Sequence, residues 1–192
     1  MNDSHDRIIT PLTGDLLRGA LDLERTARGG LLPHRLPAAA RARFDGDEEL
    51  ARAESQPSGV RVVFRTRATV VELGLLRTVV GYRGVPPAPD GAYDLHIDGE
   101  PAGRTTASGG DVVLVDLADG SRKTFPGRIG SVRFDGLPGR EKDVEIWLPY
   151  TETADGKPGR HDRPVRRPDP VEAGARPGSQ RRADHRHQPG IH

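Results

Sequence analysis

"DVEIWLPY", residues 143–150, places Val144, Ile146 and Leu148 on one side of an extended chain and Asp143, Glu145 and Trp147 on the other. Side chains alternate across a strand, so this parity marks a half-buried β-strand. The same period runs upstream. "VRVVFRT" (60–66) sets Val60, Val62 and Phe64 against Arg61 and Arg65, and "AYDLHID" (92–98) sets Tyr93, Leu95 and Ile97 against Asp94, His96 and Asp98. "ATVVELGLLRTVVGY" (68–82) reads as one long or two short strands around Gly74; "DVVLVDL" (111–117), apolar on both faces, reads as interior, and "GSVRFDG" (130–136) completes the set. Asp-Gly pairs at 90–91, 98–99, 119–120 and 135–136 supply hairpin turns. Short strands punctuated by turns, with no helix between them, predict a mainly β fold, a sandwich or a barrel.

The flanks read differently. "LTGDLLRGALDLERTARGG" (12–30) carries Leu16, Leu17, Ala20, Leu21 and Leu23 as a broad stripe before Gly29-Gly30, which predicts an N-terminal helix docked on the sandwich. A short helical turn is expected between Pro37 and Arg43. From Asp155 onward only Val165, Val171 and Ile191 are larger apolar residues, so a disordered C-terminal tail is expected. The organisation expected is therefore residues 1–57 as helix and irregular lead-in, 58–150 as sandwich, and 151–192 as a basic tail rich in Pro, Gly and Arg.

The 192 residues contain 29 basic and 28 acidic side chains. Residues 155–192 hold 9 of the basic and 5 of the acidic ones, leaving 20 and 23 in the body. A slightly acidic body thus carries a basic tail. There is no cysteine, which excludes disulfides and cysteine-ligated metals. No apolar run approaches the ~20 residues that span a bilayer. The acidic start "MNDSHDRIITP" does not resemble a signal peptide, so a cytoplasmic protein without membrane partners is expected.

Three stretches, "GLLPHRLPAAAR" (30–41), "AESQPSGVRVVFRTRAT" (53–69) and "GLPGREKDVEIWLP" (136–149), resemble the N-terminal β-sandwich that precedes the catalytic domain of actinobacterial SGNH-type (GDSL-like) esterases. The similarity extends from about Ile8 to Tyr150. It implies an antiparallel, jelly-roll-like β-sandwich as an accessory domain, no catalytic role and no cofactor for this chain, and a C-terminal hydrolase domain as partner in cis. The resemblance stops near Tyr150. The residues beyond it are similar in composition to a GC-rich gene read out of frame, which implies truncation before the hydrolase domain; a natural tail is the alternative. A stand-alone carbohydrate-binding or protein-interaction module is the alternative function.

An acyl hydrolase needs a serine, a base and an orienting acid. "GDLL" (14–17) is similar to the family's nucleophile block but has Leu16 in the serine's place. Asp184 and His187 have the spacing of its late block in a tail without fixed geometry. His185, His187 and His192 show no metal geometry, and no metal is expected. Ser4 with His5, and Ser108 before Gly109-Gly110, are weak candidates. Asp94, His96 and Asp98 share a strand face that reads as solvated. The tail arginines lack aromatic residues to stack on bases, so no specific nucleic-acid partner is expected. Trp147, the only tryptophan, is assigned with Leu148 and Pro149 to a domain interface; cover by the N-terminal helix and a sugar-stacking platform are its other readings.

Overall fold

A computed structural model describes residues 8–44, 46–161 and 163–167. The chain passes through β1 (Ile8–Thr10), a 3-10 turn at Gly14–Leu16, β2 (Leu17–Arg18), β3 (Asp22–Arg25), β4 (Leu31–His34), α1 (Ala38–Arg41), α2 (Glu48–Ser55), β5 (Arg61–Thr66) and β6 (Val71–Tyr82). It continues through β7 (Ala92–Ile97), β8 (Glu100–Thr106), β9 (Asp111–Val115), β10 (Arg122–Phe125), β11 (Gly130–Phe134), β12 (Lys142–Trp147), β13 (Thr153–His161) and β14 (Val165–Arg166).

Two sheets result. One runs β10-β9-β6-β13-β4-β3, with β1 on β13 and β11 on β6; the other runs β14-β5-β12-β7-β8, with β2 on β5. Their facing sides bury the inward parity: Val60, Val62 and Phe64, then Val71, Leu73 and Leu75, and finally Val144 and Ile146. Alternation with one apolar side is what a sandwich strand requires. The stretch 71–82 is one strand that passes straight through Gly74. Its edge is shared by β11, antiparallel along Val71–Leu75, and β9, parallel along Thr78–Tyr82. The parallel pair needs no helical crossover, because the chain visits the second sheet as the β7–β8 hairpin in between. That hairpin turns on Asp98 (φ 52) and Gly99 (φ 85), two left-handed residues as a type I′ turn demands.

Two expectations are corrected. The stretch from Thr13 to Gly30 forms no α-helix but a 3-10 turn and the strands β2 and β3. Leu16 and Leu17 are buried whereas Leu21 is 70% exposed, so they do not share one helical stripe. Gly19 adopts φ +88, and a Cβ there would meet the Gly59 carbonyl oxygen. An isolated helix of this length is marginal; pairing of Leu17 with Val62 and of Asp22 with His34 supplies the backbone hydrogen bonds instead. The expected turn after Pro37 is present as α1.

The second correction concerns residues 151–167. Far from ending at Tyr150, the sandwich receives β13 into the middle of its first sheet, between β6 and β4, and β14 onto the edge of the second. Neighbours on both sides satisfy the backbone of β13 although its side chains lack an apolar period. The register shifts between Gly156 and Gly159, around Pro158, which has no N–H for the ladder. The rest of the expected tail, residues 168–192, lies outside the described residues. Among the described residues, no helix is long and apolar enough to cross a membrane.

Candidate interdomain face

The outward parity of β5, β12 and β7 builds one polar face. Cross-strand partners are Arg61 with Trp147, Val63 with Glu145, and Arg65 with Asp143. The Arg61 guanidinium lies 4.6 Å from the centre of the Trp147 ring, and its Nε is 3.1 Å from the Glu145 carboxylate. His96 approaches the same ring at 6.0 Å, tilted by 49°. Cation–π stacking and opposite charges across strands stabilise such a face without a second sheet on it. The Trp147 indole N–H is buried and has no hydrogen-bond acceptor among the described residues.

The three residues assigned to an interface do not form one exposed patch. Trp147 is half-buried beneath Arg61. Leu148 packs against the core and donates its N–H to the Val60 carbonyl. Pro149 is buried against Gly91, where an added Cβ would lie 2.6 Å from the proline ring. Tyr150, the next residue, is 71% exposed.

Beyond Tyr150 the chain enters a buried ionic cluster. Glu152, 3% exposed, accepts hydrogen bonds from Tyr93 Oη, Arg77 Nη1 and the Gly91 N–H. Arg77 also reaches Asp90 at 2.7 Å and the Gly109 carbonyl at 2.8 Å. Burial opposes the Arg77 charge, but Asp90 and Glu152 outweigh it and hold the guanidinium above its ordinary value. Burial, then the Glu152 charge, pushes the Tyr93 hydroxyl far up. A cleft of about 320 Å³ between α2 and the first sheet borders Glu152, with Ser55, Thr78, Thr151 and Thr153 in its wall.

The look-alike catalytic groups are accounted for as structure. Leu16 is in the core. Asp15 binds Arg167 at 2.5 Å, and hydrogen bonding from Thr13, then Arg167, holds its carboxyl below the usual range. Ser108 is exposed in the turn whose Gly109 and Gly110 have positive φ. Asp94 pairs with Arg104 and Asp98 with Arg140, so Asp94, His96 and Asp98 are drawn apart rather than gathered. Among the described residues no three His, Asp or Glu side chains form a metal-binding group. Ser4, His5, Asp184, His185, His187 and His192 lie outside the described residues.

Two histidine contacts escape a reading of the sequence, because their partners are remote along the chain. Buried His34 faces Glu54 through Nδ1 at 2.8 Å and Glu24 through Nε2 at 3.1 Å, leaving no ring nitrogen for a nucleophile. His161 Nε2 lies 2.8 Å from the Thr10 hydroxyl, a nucleophile–base contact in form. The adjoining cavity is only about 30 Å³, on the scale of one water and too small for an ester.

Residues 16–153 match the family model described as SsfX3, N-terminal domain. The solved structure of the salicylyl-acyltransferase SsfX3 from a tetracycline biosynthetic pathway superposes with a TM-score of 0.66 at 21% identity, over 86% of this chain and 42% of that one. A protein from Bacteroides ovatus described as a GDSL-like lipase superposes with a TM-score of 0.53 at 18% identity, over 84% and 43%. Similarity at these identities establishes the shared fold. The chain spans less than half the length of either structure. No curated protein matches the sequence.

Proposed function

The chain belongs to the SsfX3 N-terminal-domain family, and on that premise we propose that it is a non-catalytic accessory sandwich that supports the catalytic module of an SGNH-type acyl-transfer enzyme. The observation that carries this reading is the extent of the match. Residues 16–153 align with a domain defined as N-terminal, and the chain corresponds to 42–43% of two larger proteins, one a salicylyl-acyltransferase and one a GDSL-like lipase. The disposition of the polar groups agrees with it. The histidines nearest to a catalytic arrangement are engaged by two carboxylates or by a threonine beside a water-sized cavity. The ester class served, carboxylic or carbohydrate, belongs to the companion module.

The face around Trp147 is the surface we assign to that module. Leu148 and Pro149 serve it indirectly, fixing the end of β12 so that Trp147 and Tyr150 hold their places. A sugar platform is less compatible, because Arg61 already occupies the indole at stacking distance. The test is hydrolysis of nitrophenyl acetate and butyrate by the purified chain. The rate should not exceed that of a histidine-matched blank. A saturable rate that survives repurification would overturn the accessory reading.

A further inference from the structure

β10 ends the first sheet, and among the described residues it pairs only with β9. All four of its residues, Arg122–Phe125, are exposed. In the turn that joins the two strands, the Asp116 N–H donates to the Ser121 carbonyl. Bonded and non-bonded residue pairs alternate along an antiparallel ladder. Counted from that bond, Lys123 and Phe125 exchange bonds with β9, whereas Arg122 and Thr124 turn their N–H and C=O groups outward. We propose that this open edge pairs antiparallel with the same edge of a second copy of the chain, with Thr124 opposite Thr124 of that copy. Opposed residues of such a pair share a face, so Lys123 then meets Phe125 and Arg122 meets Pro126. Registers centred on Arg122 or Lys123 set like charges against each other, which is destabilising. A register centred on Phe125 sets Thr124 against Pro126, which has no N–H to give. In the Thr124 register every cation meets a ring or a proline and never another cation.

The same register continues an apolar row. Val79 extends the inward parity of Val71, Leu73 and Leu75, and its cross-strand neighbours are Val112 and then Phe125. Val112 is 41% and Phe125 44% exposed. The copy adds its Lys123 and Leu114 to that row and shields the Phe125 ring. Charged side chains on an edge strand ordinarily discourage pairing. Here the Lys123 ammonium lies 5.0 Å from the centre of its own Phe125 ring, and Arg122 is tied to Glu48 of α2 at 2.8 Å. Both charges are thus engaged on the faces of the sheet. An edge of four residues buries less than the ~1,200 Å² of a stable interface, so the dimer is weak and depends on concentration. The pairing is independent of the accessory role and stands or falls separately from it.

The test is sedimentation equilibrium of the full chain from micromolar to millimolar concentration, where a monomer–dimer equilibrium is expected. Thr124→Pro removes an N–H on the outer side of the edge, a position that tolerates proline. Phe125→Lys opposes two pairs of lysines. Each should weaken dimerisation by about tenfold or more, and Lys123→Glu added to Phe125→Lys should restore it. An unchanged melting temperature in dilute solution establishes that each variant folds. A second measurement reads the register directly. The chain has no cysteine, and opposed Cα atoms of a bonded pair lie about 5.5 Å apart, within disulfide range. Thr124→Cys should therefore oxidise to a covalent dimer faster than Ser121→Cys in the neighbouring turn. A chain that stays monomeric at millimolar concentration, a dimer that Thr124→Pro and Phe125→Lys leave intact, or equal crosslinking of the two cysteine variants would overturn the assignment.

Discussion

Lys142 is 1% exposed, and its ammonium donates to the carbonyls of Ala68 at 2.6 Å and Pro138 at 2.7 Å, with Thr66 at 3.5 Å. Replacing it by Met keeps the stem and strands buried carbonyl oxygens. Lys142→Met should therefore cost about 2–4 kcal/mol, read as a shift of the urea midpoint; an unmoved midpoint would contradict the arrangement. Parity places Lys142 on the same side as Val144 and Ile146, yet a lysine ordinarily reads as surface. Its carbonyl partners at Thr66 and Ala68 are more than 70 residues away, which is why its burial was not legible. Asp98 is an exposed carboxylate whose partners are likewise remote along the chain. The backbone N–H of Asp143, then Arg140, depresses its carboxyl in the fold. A depressed value means that its stabilisation is present above the unfolded carboxylate value of about 3.9 and is lost as pH falls through the folded one. Asp98→Asn, tolerated at positive φ, should make the melting temperature fall less steeply between about pH 5 and 2.5. Parallel curves for the two proteins would rule this out.

Strand or helix over residues 16–25 is settled by which leucines face inward. Leu17 is 7% exposed and Leu21 is 70% exposed. Leu17→Asp should cost about 3 kcal/mol or more by burying a charge, whereas Leu21→Asp should stay within about 0.5 kcal/mol, as surface changes do. Equal losses in thermal melting would restore the amphipathic helix. The apolar stripe was visible in the sequence; the competing partners, β5 for Leu17 and β4 for Asp22, were not. Helix α2 did carry its own signals, with Asp47 accepting from the Leu50 N–H and Glu48 and Glu49 in the first turn. It was obscured by the proline-broken stretch before it. In β13 the difficulty is reversed, since its composition argues against a strand. Lys157 binds Asp155 at 2.8 Å and the Arg28 carbonyl at 3.0 Å, and Asp155 accepts from Thr26, so the pair pins the β3–β4 turn. Losing one member of a buried pair costs about 3–5 kcal/mol, while apolar replacement of both is often nearly neutral. Asp155→Val or Lys157→Met alone should thus destabilise more than the double variant in a denaturation cycle. Additive losses would show that the two act separately.

At the scale of the molecule, two sheets close over an alternating apolar face, and that face was readable from Val60, Val62, Phe64, Val144 and Ile146 alone. Which strands neighbour which was not, because pairing such as β6 with β9 and β13 depends on contacts that periodicity does not encode. The family was legible in three stretches between Gly30 and Pro149, and the matched segment, residues 16–153, contains all of them. The face assigned to Trp147, Leu148 and Pro149 was legible only in part, since parity marks Trp147 as outward but cannot show Arg61 lying on its ring or Pro149 seated against Gly91. On the function proposed here, the chain supports an acyl-transfer site without containing one. An activated nucleophile requires a base within roughly 2.6–3.2 Å and an acyl-sized space beside it. The most direct measurement is intact-mass analysis after incubation with a serine-directed fluorophosphonate. An unmodified mass at long exposure is expected. Stoichiometric, saturable addition of one phosphonyl group to a single hydroxyl, abolished by prior heat unfolding, would contradict it.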